Sequence, residues 1–278
     1  MKKKRSVFQS VKKDIFKGFK RLYLFSYTIY KYYFFTIKFL LINNRISRFK
    51  ISILLPTRER SKKFERMLIS LLNTCNDLSR VEILLLIDED DKEINLYYEI
   101  FKKDLFKKLD FKIIIKNLKT HAIRNNFLAK KCTGEIIFPI NDDMIFISKD
   151  WDSIIDKEFS KNYDNKPLCL WIKSNIKYPY LHCDYPIINR EWYNRLGYVG
   201  SENFNFWYLD TWICGLSMLS GKYIVTPYIV VDQLSANRIS KEIDETHLRN
   251  INTDKADKDL RIWNETKNER LIHSKLLL

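Results

Sequence analysis

Three short apolar runs, at residues 51–55, 81–87 and 111–115, each break into a polar stretch and then into apolar residues at helical spacing. Phe64, Met67, Leu68, Leu71 and Leu72 follow the first run, and Ile94, Tyr97, Tyr98, Phe101 and Leu105 follow the second. Ile123, Phe127 and Leu128 follow the third, and a fourth run comes at 135–140. Apolar runs of this length bounded by polar breaks read as buried strands, and recurrences three and four apart read as amphipathic helices. Their alternation predicts a parallel sheet with helices on its faces. Right-handed crossovers then bring the C-terminal ends of these strands to one edge, which is where such folds bind ligands.

The residues delivered to that edge are polar. The first strand ends in Thr57 and Arg58, the second in Asp88, and the fourth in Asn141, Asp142 and Asp143. Adjacent carboxylates repel unless something positive sits with them, and a divalent cation that prefers hard oxygen ligands, Mg²⁺ or Mn²⁺, meets that need. Asn-Asp-Asp also suits a plain turn or the cap of the next helix, so the pair alone leaves both readings open. Arg58 and Arg124 add the cations that a diphosphate requires, while the two acids would hold the metal that bridges its oxygens.

Charge narrows the partners. The 278-residue chain is 46% hydrophobic, enough to bury one large core with appendages, and it carries a formal charge of +15. Of its 49 basic and 34 acidic residues, 14 basic and only Asp14 fall in residues 1–50, which leaves 35 and 33 for the other 228. The globular part is therefore nearly neutral, and its aromatics do not alternate with basic residues, which argues against a nucleic-acid partner. Five scattered cysteines without a Cys-x-x-Cys pair indicate neither a zinc site nor a disulfide framework, and they fit a reducing compartment.

The positive charge belongs to the N-terminus. Residues 22–42 are dense in Tyr, Phe, Leu and Ile but are interrupted by Lys31 and Lys38, and no small-residue cleavage site follows, so a signal peptide is not indicated. Lys31 at the centre of a spanning helix would cost about 2.5–3.5 kcal/mol. Residues 1–49 accordingly read as a basic, aromatic helical segment lying on an anionic membrane surface, with a single-span anchor or a helix docked on protein as the other options. The expected localisation is cytoplasmic, peripheral on the cytoplasmic face of the membrane.

The five landmarks in residues 51–144 have a recognisable order: a strand ending Pro56-Thr57, a second ending Asp88, the helix start Arg124-Asn125, Gly134-Glu135, and a strand running into Asn141-Asp142-Asp143. This stretch resembles the nucleotide-sugar-binding half of the family 2 glycosyltransferases, which have the GT-A fold. The resemblance implies an α/β architecture, a GT-A type, Rossmann-like mixed sheet flanked by helices, over residues 50–235. It implies that Pro56, Thr57, Arg58, Asp88, Arg124 and Asn125 line the donor site with Asp142, and that Asp143 with Asp142 holds Mn²⁺ or Mg²⁺ on the diphosphate. Two departures stand out: Asp88-Glu89-Asp90-Asp91 replaces the family's Asp-Asp-Gly-Ser, and Asn141 stands where an acid is frequent.

Beyond the acid pair, Trp151, Ile154, Ile155 and Phe159 mark another helix and residues 168–172 another strand. Residues 173–184 read as an acceptor-lining or plain surface loop, and 186–192 resembles the segment where the family returns to the cleft. The aromatic stretch 197–212 contains Glu202 and Asp210. In the family this region leads to an acid that serves as catalytic base; Leu209-Asp210 is the match, so the resemblance gives Asp210 that role, with Glu202 in reserve. Residues 223–231 read as a strand broken by Pro227 that reaches Asp232, which stands near the point where relatives carry a metal-binding histidine. Residues 236–278 read as a charged, partly helical, peripheral tail, with His247 and His273 assigned no role.

The expected activity is transfer of a sugar from a nucleotide-diphosphate sugar to an acceptor hydroxyl, metal-assisted and inverting, in the assembly of a surface polysaccharide or glycolipid. The expected partners are that donor, a glycan or lipid-linked acceptor, and the membrane surface. The competing readings are another metal-dependent nucleotidyl transferase, for which a glycine-rich phosphate loop is missing at the first strand, and a catalytically degenerate GT-A-like binding protein.

Overall fold

A computed structural model describes residues 49–162, 165–173, 183–205, 207–228, 230–233 and 253–278, all of which fall in one compact unit. The N-terminal segment up to residue 48, most of the loop expected at 173–184, and His247 lie outside the described residues. Among the described residues, no helix is long and apolar enough to cross a membrane.

The first half alternates as the apolar pattern predicts. Strand β1 (Ile51–Thr57) leads to α1 (Ser61–Thr74), β2 (Val81–Ile87) to α2 (Ile94–Lys102), and β3 (Asp110–Ile115) to α3 (His121–Ala129), which returns to β4 (Ile136–Pro139). All residues of β2 are buried, and β1 is buried except at Pro56, as expected of central strands covered on both faces. By contrast β3 alternates between exposed and half-buried positions at the edge. Phe64 of α1 meets Tyr97 and Phe101 of α2 edge-on, with centroids 5.6 and 5.5 Å apart, and so locks the two helices together.

The order of the main sheet is β3-β2-β1-β4-β7-β6-β8, where β6 is Cys169–Trp171, β7 Ile187–Asn189 and β8 Tyr223–Val225. Strands β1 to β4 are parallel, whereas β7 runs antiparallel to both β4 and β6, which makes the sheet mixed. A second, two-stranded sheet pairs β5 (Met144–Phe146) with β9 (Val231–Gln233). The single broken strand expected at 223–231 is thus two strands in two sheets, because Pro227 has no N–H to continue a ladder. Three more helices belong to this half: α4 (Trp151–Asn162), α5 (Arg190–Leu196) and α6 (Leu209–Ser220).

The segment 186–192 takes an unexpected direction. Ile188 pairs with Ile137 and Asn189 with Ile136, so β7 runs away from the acid pair, and Arg190 ends at the opposite edge, where its guanidinium donates to the Gly134 carbonyl at 2.7 Å. Gly134 is required there: a Cβ would come within 2.5 Å of Ser52 Oγ and 2.7 Å of the Lys50 carbonyl.

The C-terminal residues are packed on the domain. Helices α7 (Thr253–Glu265) and α8 (Lys267–Leu276) follow the undescribed stretch, α8 packs against α6 and α5, and Leu277 is buried. His273 has a partner, with its Nδ1 2.6 Å from the Tyr198 hydroxyl. Residues 253–278 spend their few apolar positions on this contact instead of on an independent core.

Candidate functional site

Strand β1 outruns its pairing with β4. That ladder ends where Leu54 faces Pro139, whereas the ladder with β2 continues to Thr57 opposite Ile87. Beyond Leu54 the ladder with β4 stops, and in open α/β sheets the ligand crevice lies at such a point. It is the topological switch point of the sheet, since the chain winds from β1 to β3 on one side and returns to β4 on the other.

Thr57 and the acid pair meet at this switch point. The Thr57 hydroxyl donates to Asp142 Oδ2 at 2.6 Å, and Arg60 Nη1 donates to Asp142 Oδ1 at 2.8 Å while standing 3.8 Å from Asp143 Oδ2. With its proton committed to Asp142, Thr57 accepts from the Tyr97 hydroxyl at 3.1 Å, and Tyr97 in turn accepts from the Arg60 backbone N–H at 3.0 Å. Asp142 and Asp143 are both buried. Burial and the neighbouring Asp143 push the Asp142 carboxyl above its ordinary value, against the pull of Arg60 and Thr57. Arg60 and Tyr97 are the members of this cluster that the motif reading missed. Arg60 stands two residues beyond Arg58, and Tyr97 was read only as part of an apolar stripe, although a buried tyrosine normally directs its hydroxyl to a partner.

The acid run after β2 divides into two tasks. Asp88, buried at the strand end, receives Arg58 Nη1 at 3.2 Å and Arg124 Nη2 at 2.8–2.9 Å, and Asp90 takes the other end of Arg58 at 2.7 Å. Burial works against the Arg58 charge, but Asp90 and Asp88 outweigh it and hold its pKa above the ordinary value. Asp91 instead accepts the backbone N–H groups of Glu59 and Glu93 at 2.8 and 2.7 Å, and Glu93 accepts that of Ser61 at 2.7 Å. These bonds hold the turn that carries Arg58 and Arg60 into the site, a turn in which Glu59 adopts φ 51°. The departure from Asp-Asp-Gly-Ser thus supplies Asp91, one of the two acids that shape this turn.

Asn125 follows Arg124 on α3. It is fully buried and its side-chain amide donates to the His121 carbonyl of its own helix at 3.0 Å. Its neighbour Asn126 holds the far wall: Oδ1 accepts Val199 N and Gly200 N at 2.8 and 3.1 Å, and Nδ2 donates to the Gly200 carbonyl and to Glu202 Oε1, both at 2.9 Å. Glu202 is exposed and bound to that wall.

Asp210 lies in the first turn of α6, with Oδ1 accepting the Thr211 N–H at 2.7 Å. The N-termini of α3 and α6 meet over Gly200, where a Cβ would come within 2.1 Å of Leu209 Cδ1 and 3.8 Å of Ala122 Cβ. His121 and Asp210, the neighbours of Ala122 and Leu209, are therefore brought to the same end of the molecule as the acid pair. Burial, then Arg124, push the His121 imidazole down to about 4, against the attraction of Asp210, so the ring is neutral near pH 7.

Asp232 is buried on β9 opposite Ile145, two residues past Asp143. Among the described residues, no three His, Cys, Asp or Glu groups come together as a metal site. Two carboxylates fit a cation only when a ligand supplies the remaining oxygens, as magnesium-type ions commonly require: Asp143 adjoins Asp142, whose oxygens are engaged by Thr57 and Arg60 and would have to release one of them to a metal.

No family model matches the sequence, and no curated protein matches it. Solved structures do match its fold. A mannosyltransferase from Pyrobaculum calidifontis, PcManGT, solved with GDP-Man and Mn²⁺, superposes with a TM-score of 0.54 at 14% identity, over 67% of this chain and 57% of that one. TarS of S. aureus matches with a TM-score of 0.55 at 15% identity, over 67% of this chain and 37% of TarS. TarS 1-349 in complex with UDP-GlcNAc gives 0.51 at 15% identity, over 66% of this chain and 58% of that one. The chain spans less than two thirds of the length of each, and what it shares with them is a GT-A-like glycosyltransferase fold.

Proposed function

We propose that this chain transfers a sugar from a nucleotide-diphosphate sugar to an acceptor hydroxyl. The observation that carries the proposal is the convergence of Thr57, Arg60, Asp142 and Asp143 on the β1/β4 switch point, flanked by the Arg58–Asp88–Arg124 cluster, in a fold shared with glycosyltransferases. Cations and carboxylates gathered at a switch point support a reading in which they receive a diphosphate and its metal.

In this reading Pro56, Thr57, Arg58, Asp88 and Arg124 hold the nucleoside, and Asp142 with Asp143 form the hard-oxygen end of the site. A bound Mn²⁺ or Mg²⁺ would neutralise charge on the departing diphosphate. Arg60, already between the two acids, orients them and stands ready for a phosphate oxygen. Asp210 takes the proton of the acceptor hydroxyl as its oxygen bonds to the anomeric carbon, and the bond from that carbon to the phosphate oxygen breaks, with the electron pair leaving on the diphosphate. One such displacement inverts the anomeric configuration. A glycan or lipid-linked acceptor fits the basic N-terminal segment, which would hold the enzyme on an anionic membrane surface.

The test is calorimetric binding of UDP, GDP and other nucleoside diphosphates with and without Mn²⁺. The expected result is metal-dependent binding of one nucleotide, weakened more than about a hundredfold in Asp143→Ala. Asp210→Asn should keep that binding and lose turnover by roughly a thousandfold. Absence of binding to every nucleotide by folded protein would overturn the proposal.

A further inference from the structure

Helices α7 and α8 are fastened to the part of the molecule that leads into Asp210. Asp259 of α7 is fully buried, and both its oxygens are taken by one short loop. Oδ1 accepts Asn205 N at 2.8 Å and Asn205 Nδ2 at 2.9 Å, and Oδ2 accepts Trp207 N at 2.8 Å. A buried carboxylate is costly unless donors surround it, and here the donors are mainly backbone, so the acid fixes the path of the chain itself.

The fixed path is a strained one. Tyr208, the cap of α6, adopts φ 74°, a left-handed conformation unfavourable for a bulky residue, and it persists only where the surroundings enforce it. Phe204 stacks on Tyr208 with centroids 5.3 Å apart, and Tyr208 leans on Trp263 of α7 at 5.6 Å. Trp263 also presses on α6, since a Cβ at Gly215 would come within 2.8 Å of its ring, and Arg270 of α8 covers it at 3.5 Å. Asp210 follows Tyr208 by two residues. Apolar packing alone would suffice to attach a helix pair, whereas a buried acid that dictates backbone position three residues before Asp210 points to a demand for geometry.

We infer that Asp259 is a positioning residue for the transfer step: by pinning Asn205 and Trp207 it sets the strained entry into α6 and thereby the placement of the Asp210 carboxylate. The inference rests on the glycosyl-transfer reading above. It predicts an effect on turnover with none on nucleotide binding, because the bonds from Asn205 and Trp207 tie Asp259 to the loop before α6 and not to the strands β1 and β4.

The experiment compares the full chain with Asp259→Asn and Asn205→Ala. The probes are nucleoside diphosphates for binding and a set of nucleotide sugars including UDP-GlcNAc and GDP-mannose for hydrolysis, in which water replaces the acceptor and gives its proton to Asp210. Asp259→Asn should leave nucleotide Kd and donor KM within about threefold and lower kcat by roughly a hundredfold, the scale of a misplacement near 1 Å. Amide exchange at 205 and 207 should accelerate at least about tenfold while amides of α3 keep their protection. Asn205→Ala, which removes one hydrogen bond and no buried charge, should shift kcat the same way by a smaller factor and serves if Asp259→Asn does not fold. Unchanged kcat in the variants, or equal losses of nucleotide binding and kcat, would overturn the role of Asp259 alone. Failure of the unmutated chain to bind any nucleotide, or to hydrolyse any donor, would overturn the glycosyl-transfer reading and this inference with it.

Discussion

The two edges of the parallel sheet each bury a carboxylate, and the two carboxylates are treated in opposite ways. Glu82, near the start of β2, accepts from Ser52 Oγ at 2.5 Å, from Thr133 N and Oγ1 at 2.5 and 3.0 Å, and from Gly134 N at 3.1 Å. Lys50 and Lys112 approach it at 3.6 Å. Burial alone would raise its pKa, but Ser52, Thr133 and Lys50 outweigh burial and hold it below the ordinary value. Asp142, past the end of β4, is raised by burial and by Asp143, and only Arg60 and Thr57 oppose the shift. The first acid is a finished joint between three strands. The second retains an electrostatic demand at the edge where ligands bind, and that difference separates a structural acid from a candidate functional one.

Substitution should pull the two apart. Glu82→Ala strands several buried donors and should cost about 3–5 kcal/mol, read from the urea midpoint, with nucleotide affinity of the folded protein unchanged. Asp142→Asn should weaken nucleotide binding at least about tenfold while changing stability by less than about 1 kcal/mol, since it removes half of a repelling pair. The reverse pattern would break the comparison. Acid titration sharpens it further. The stabilisation from Glu82 is present above its unfolded value of 4.5 and is lost as pH falls through its lowered folded pKa. Asp142, raised above 3.8, binds its proton more tightly when folded, so its contribution to stability falls as pH rises through that interval. Asp142→Asn should accordingly gain on the unmutated chain as pH rises from about 4, and Glu82→Gln should lose on it as pH rises towards 4.5.

The same contrast explains what the sequence could disclose. Strands β1, β2 and β4 were legible because each is an apolar run that stops at a polar end, and the crossover rule alone brought Thr57, Asp88 and Asp142 to one edge. Arg60 and Tyr97 were hidden because their roles depend on the ladder with β4 stopping at Leu54, and no local pattern marks where a ladder ends. Asn125 carried a motif signal yet is turned into its own helix, while the unremarked Asn126 holds the wall at Val199 and Gly200. The C-terminal helices look solvated for a physical reason: they have few apolar residues, and Asp259, Arg270 and His273 attach them through bonds to Asn205 and Tyr198 and a cation–π contact with Trp212, which hydropathy does not register. The reversed course of β7 followed from strand pairing, which periodicity does not encode.

The smallest expected effect concerns His121, and it tests whether the nucleotide edge and the α6 edge share one electrostatic environment. Burial, then Arg124, hold the imidazole at about 4, well below its unfolded value of 6.5, and the one opposing influence is Asp210. Between these values the unfolded chain binds a proton that the folded chain refuses, so this group's contribution to stability falls as pH drops from 6.5 towards 4. Solvent reaches the half-buried ring, so relative to His121→Gln the loss from pH 7 to 5 should be on the order of 1 kcal/mol. Asp210→Asn should lower the imidazole pKa further, because it removes the attraction that favours the imidazolium. A ring that titrates at about 4 is already mostly neutral at pH 5, so this coupling is read from the ring itself, by NMR titration of His121 in the unmutated chain and in Asp210→Asn, without any substrate. A His121 pKa that ignores residue 210 would mean that Asp210 stands too far from His121 to share a cleft with the acid pair, and would remove it as the base whatever nucleotide the β1/β4 crevice binds.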